Sequence, residues 1–152
     1  GTVSNSYSIG TVNGNDFVGN LVGVNDGTVS NSYASGAVNG NDFVGGLVGR
    51  NEGVVSKCYS TGNVTGDEHI GGLVGQNLHG VVSNCFWDMQ TSGQATSDEG
   101  TGKTTAEMKD IATFTGADWD IIAVASFGTR NTDYIWNIVS ALTYPFLSWQ
   151  PV

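Results

Sequence analysis

The stretch GTVSNSYASGAVNGNDFVGGLVGRNE, residues 27–52, nearly copies what precedes it. Residues 1–26 read GTVSNSYSIGTVNGNDFVGNLVGVND, residues 53–79 read GVVSKCYSTGNVTGDEHIGGLVGQNLH, and residues 80–88 begin a fourth copy, GVVSNCFWD. The period is therefore 26, 26 and then 27 residues. A fixed period of this size predicts a solenoid, in which each unit buries its apolar face only against its neighbours. Each copy holds three extended pieces between turns rich in Gly and Asn, the residues that tolerate positive φ. The first runs from Val3 to Tyr7, the second is centred on Val12, and the third runs from Phe17 to Gly23, each with counterparts one period on. Val, Tyr, Phe and Leu favour strands, and no copy shows helical periodicity. The reading is an all-β fold, a parallel three-sided β-helix of about three coils. Like side chains then lie atop one another: Val18 on Val44 on Ile70, Leu21 on Leu47 on Leu73, Val22 on Val48 on Val74. Asn25, Asn51 and Asn77 align as well, which predicts a ladder of side-chain amides.

The bulk numbers agree with such a chain. Of 152 residues, 39% are apolar and only 12% are charged, about half the usual share. Gly is abundant, at 23 residues. The net charge of −9 argues against nucleic acid and against anionic membrane surfaces, both of which call for Lys and Arg. It allows cations. No stretch has the length and apolarity to insert in a membrane, and no signal peptide opens the chain. The sequence starts without Met, inside the repeat pattern, and reads as a fragment or a processed chain.

Several residues invite chemistry. Asp16, Asp42 and Glu68 align at 26-residue spacing. Like charges so close either splay into solvent or share a cation, and Ca²⁺ with its preference for oxygen donors suits such a column. No other cofactor is implied. Cys58 and Cys85 hold equivalent positions, where Ser6 and Ser32 stand in the earlier copies; they read either as packed thiols or as a bridge between coils. His69 takes the place of Phe17 and Phe43, without a His or Cys partner at ligand spacing. The run Gly100 to Thr105 looks like a phosphate-binding loop, but Ser97 stands where its first Gly is required. No Ser/His/Asp or Cys/His set is discernible, and the regular array offers no exception to mark a unique site. The chain is therefore expected not to be an enzyme.

After Asp88 the period stops, which divides the chain into repeats at 1–88 and a C-terminal capping segment at 89–152. Residues 89–103 read as a loop. Thr104 to Ala112 reads as one short helix, with Thr104 and Glu107 forming a capping box. Ile121-Ile122 and Ile135 to Val139 are candidate strands. The aromatics that follow would cover an open β-helix end. Trp136 and Trp149 are also candidates for stacking on surface glycans.

The runs Gly46-Leu47-Val48-Gly49 and Gly72-Leu73-Val74-Gly75, followed by Asn51 and Asn77, resemble the GLUG repeat over about residues 1–88. The Lys57 to Gly62 and Asn84 to Phe86 runs add to the resemblance. Asn20 departs from it, standing where a Gly is expected, as do Ser6 and Ser32 where Cys is frequent. The family occurs in bacterial and archaeal secreted or surface proteins, including adhesin-like chains. The resemblance implies a right-handed β-helix and an extracellular or cell-surface location; it does not imply catalysis. The expected function is a structural or adhesive module, a rigid spacer or binding surface whose partners are other protein chains or surface glycans. The alternative is a fibre subunit that self-associates head to tail through its open coil end, and the third reading is a carbohydrate-active β-helix.

Overall fold

The computed structural model describes residues 1–151. The chain forms two compact units, Gly1–Lys103 and a second from Thr104 onward.

The first unit is a β-solenoid of stacked coils in which every strand pairs in parallel with its own copy one period on. Val18 lies on Val44 and Val44 on Ile70; Val22, Val48 and Val74 form a second column. Leu21 and Leu47 each donate their backbone N–H to the leucine one coil on. Val29, Leu47, Val48, Val55, Leu73 and Val74 are fully buried, and each is worth roughly 1.5–3 kcal/mol to the fold. The one-residue insertion is absorbed at His79, which adopts φ 63°. Downstream of it the register resumes, Val55 facing Val82.

The three expected pieces per coil resolve into five short strands. The first coil has Thr2–Ser4, Tyr7–Ser8, Val12–Asn13, Asp16–Gly19 and Val22–Asn25. The first break falls at Asn5, Asn31, Lys57 and Asn84, all with φ between 46° and 53°, a left-handed kink that ends strand pairing. The second falls after Gly19, Gly45 and Gly71, where the backbone turns so tightly that a Cβ would lie 2.1, 1.9 and 1.9 Å from the carbonyl of the valine three residues on.

The segment expected to be a loop is ordered by the coil beneath it. Helix α1 (Met89–Ser92) is capped at its start by the buried Asp88, which accepts from the N–H groups of Gln90 and Thr91. The chain then returns along the last full coil. Thr96 O accepts from Gly72 N, Ser97 Oγ accepts from Leu73 N and Val74 N, and Asp98 Oδ2 accepts from Asn77 N at 2.6 Å. Strand Thr101–Lys103 pairs with Phe86–Asp88. Trp87 lies against Gly72, where a Cβ would fall 2.1 Å from its ring, and donates Nε1–H to Gln94 O. Residues 94–103 thus act as a reduced coil that satisfies edge groups otherwise free to pair with another chain.

The second unit holds helices α2 (Thr105–Met108) and α3 (Ile111–Thr115) and a sheet of Ile121–Ala123, Trp136–Ile138 and Phe146–Leu147. The Thr104–Glu107 capping box forms as expected. The single helix expected to reach Ala112 instead stops at Met108, because the Asp110 carboxylate captures the Ala112 N–H and starts α3. The aromatics of this unit pack on one another: Phe114 on Trp119 at 4.8 Å and Trp119 on Trp136 at 4.9 Å.

Candidate cation site

Parallel in-register stacking sets neighbouring residues of a column about 4.8 Å apart. Two ring columns report this directly: Tyr7, Tyr33 and Tyr59 stack with centroids 5.3 and 4.9 Å apart, and Phe17 and Phe43 stack at 4.9 Å. The near-parallel planes, 9° and below, fit offset stacking, and the register of the strands repeats it from coil to coil.

The same register brings the acidic column together. Asp16 faces Asp42 and Asp42 faces Glu68. Among the described residues no Lys or Arg pairs with any of the three; Arg50 is engaged by Glu52 at 3.0 Å and lies over the Phe17 ring. What does meet the column is His69. Phe17, Phe43 and His69 share φ values of 49–56°, which turn their rings outward into one stack, with His69 4.6 Å from Phe43 and nearly parallel to it. From there the imidazole reaches back one coil, and Nδ1 lies 2.6 Å from Asp42 Oδ1. The same oxygen accepts from Phe43 N at 2.8 Å, which holds the carboxylate. Ligand atoms of Asp42, Glu68 and His69 all lie within 4.8 Å of one another, with Asp42 partly buried and the other two exposed. Asp16 lies outside this group, so the three-acid column of the sequence reading is re-formed around a nitrogen donor. The repeat offset does not reveal His69 as a partner of Asp42, because the two are 27 residues apart and meet only through the ring direction.

The other candidates are placed as follows. Trp136 is fully buried; it is a core side chain of the second unit and has no face to offer a sugar. Trp149 is 54% exposed and keeps that possibility. Cys58 and Cys85 are free, buried thiols. They extend a column begun by serines: Ser6, Ser32, Cys58 and Cys85 each donate to the carbonyl two residues earlier. Cys85 Sγ accepts from Cys58 N at 3.4 Å. Burial, and then the Cys85 thiol beside it, push the Cys58 thiol well above its ordinary pKa, so it stays protonated and unreactive. An aromatic disulfide reagent at pH 8 is expected to label neither cysteine in the native protein and both in denaturant; fast native labelling would contradict the packed-thiol arrangement. A second ladder, unforeseen although it has the same spacing, runs on the exposed face, where Asn39 Nδ2 donates to Asn13 Oδ1 at 2.8 Å and Thr65 Oγ1 donates to Asn39 Oδ1.

Comparison with known proteins places these coils. The GLUG motif matches residues 44–65 and 66–86. A Gly-rich membrane protein of Evansella cellulosilytica is 41% identical over 61 residues, which cover 40% of this chain and 6% of that protein. The chain thus spans a small fraction of this relative's length. No solved structure matches the chain.

Proposed function

We propose that this chain, a GLUG-repeat β-solenoid through residues 44–86, is a rigid module of an extracellular or cell-surface protein, acting as a spacer or an adhesive surface. The observation that carries this is the filled interior. Columns such as Val29–Val55 and Leu47–Leu73 are fully buried through successive coils, so each coil presents an outer surface. Such stacks are stiff because the first coil is bonded to the second, and the second to the third, along all five strands. The relative's description as a membrane protein fits attachment at a membrane. Among the described residues no helix is long and apolar enough to cross one.

Antibodies against the coil unit, applied to intact cells making the full-length parent protein, test the location. Labelling is expected without permeabilisation, together with loss of the signal after brief external protease. Labelling that needs permeabilised cells would overturn the reading. For the adhesive role, Trp149→Ala is expected to remove any glycan-array signal, whereas a blank array leaves the spacer role alone.

A further inference from the structure

We propose that Asp42, Glu68 and His69 form a binding site for a divalent transition-metal ion of the Zn²⁺ class, distinct from the all-oxygen Ca²⁺ column read from sequence. The ligand chemistry decides the class. Two carboxylates and one imidazole make a mixed oxygen and nitrogen set, which suits Zn²⁺, Co²⁺ or Ni²⁺, whereas Ca²⁺ takes six or more oxygens. Asp16, the residue that would extend an all-oxygen set, lies outside the cluster.

The imidazole is also held in place by groups that are not ligands. Its backbone sits at φ 49°, its ring is stacked on Phe43 at 4.6 Å, and its strand neighbours Glu68 and Ile70 are paired in register with the coil below. Such fixing lowers the ordering cost of binding, as the outer groups around metal-bound histidines do. Asp42 is fixed too, by the Phe43 N–H. Nδ1 and Oδ1 lie 2.6 Å apart, a hydrogen bond that puts a proton where the ion would sit. On binding, the ion takes that place: the neutral imidazole carries its one N–H on Nε2, so that Nδ1 offers its lone pair, and the N···O edge opens to about 3 Å, as bonds of about 2.0–2.2 Å require. Glu68, which is exposed, closes as the third ligand, and water completes the shell. The electrostatics point the same way: two aligned carboxylates in a chain of net charge −9 have no Lys or Arg partner among the described residues.

The substitution His69→Phe restores the residue that the same column carries at Phe17 and Phe43, so it keeps the stack and the fold. Titration calorimetry of the chelator-treated full chain with Zn²⁺ alone, and with Ca²⁺ alone, reads the site. Zn²⁺ is expected to bind at one site, with His69→Phe and Glu68→Gln each weakening it by about tenfold or more, His79→Ala leaving it unchanged, and Ca²⁺ giving no comparable heat. Co²⁺ in place of Zn²⁺ should give visible absorption that His69→Phe abolishes. Unchanged Zn²⁺ affinity in a folded His69→Phe protein overturns the proposal, and so does Ca²⁺ binding as tight as Zn²⁺.

Discussion

Replacing Gly45 by Ala is expected to unfold the solenoid unit or to cost on the order of 3 kcal/mol or more. The added Cβ would lie 1.9 Å from Val48 O, 2.7 Å from Gly75 N and 2.9 Å from Leu73 O. All three are backbone atoms, so no side chain can swing away. The first belongs to the same corner, the other two to the next coil. Opening the corner to relieve the first contact presses the chain on the second pair, and sliding the coils apart breaks ladder bonds such as Leu47 N to Leu73 O at 2.9 Å. The strain therefore spreads through every sheet that crosses this level. Gly10→Ala is the control: nothing lies within 4 Å of its Cβ position, and the restricted unfolded chain gains it a few tenths of a kcal/mol up to about 1. Urea unfolding of both variants checks the pair. A Gly45→Ala protein within about 1 kcal/mol of the parent would mean that the corner is far looser than these distances.

That corner also shows which parts of the fold can be read from residues alone. Glycines at 19, 45 and 71 inside strand-like runs announce a close backbone approach, because Gly is otherwise costly there. The stacking register is equally legible: the same side-chain types recur at one offset, and a shift by one residue would turn Val18, Val44 and Ile70 to the wrong face. The positive φ at Phe17, Phe43 and His69 is not legible. Positive φ is rare for bulky residues, and only the finished coil, which gains a ring stack from it, favours that conformation. The cation site inherits this blindness. Its acids follow the period, whereas its histidine enters through a backbone twist that residue type disguises. Trp136 and Trp149 fail differently. Both are aromatic residues near the end of the chain, and only the packing of Trp119 against Trp136 tells the buried one from the exposed one. The return of residues 94–103 along the last coil is hidden for a third reason. Polar residues such as Ser97 and Asp98 act there as hydrogen-bond partners for edge amides, and a polar Gly/Ser/Thr run that does this looks like any loop.

Replacing Asn51 by Leu, similar in volume, is expected to cost about 2–4 kcal/mol. Asn51 is fully buried, and its amide uses its whole hydrogen-bonding capacity. Oδ1 accepts from Asn25 Nδ2 at 2.8 Å and from Gly53 N at 3.3 Å, while Nδ2 donates to Asn77 Oδ1 at 2.8 Å and to Gly53 O at 3.2 Å. Leu fills the space and satisfies none of these groups. A group left without a partner away from water costs about 1–3 kcal/mol; relief comes from Asn25 Nδ2, which keeps Val54 O at 3.2 Å, and from Gly53, whose N–H keeps Asn25 O and whose carbonyl keeps Val81 N. Asn25→Leu should cost less, because Asn25 has a ladder neighbour on one side only among the described residues. Asn51→Asp separates hydrogen bonding from packing. Its carboxylate still accepts from Gly53 N but meets Asn77 Oδ1 as a second acceptor, and burial raises its pKa in the folded state. A raised folded pKa means that stability is present below the ordinary carboxylate value and is lost as pH rises through the folded one. Thermal melting should then show Asn51→Asp closest to the parent at about pH 4 and weakest at neutral pH, with the Asn51→Leu deficit flat across that range. Equal pH profiles for the two variants would show that the column is held by packing alone.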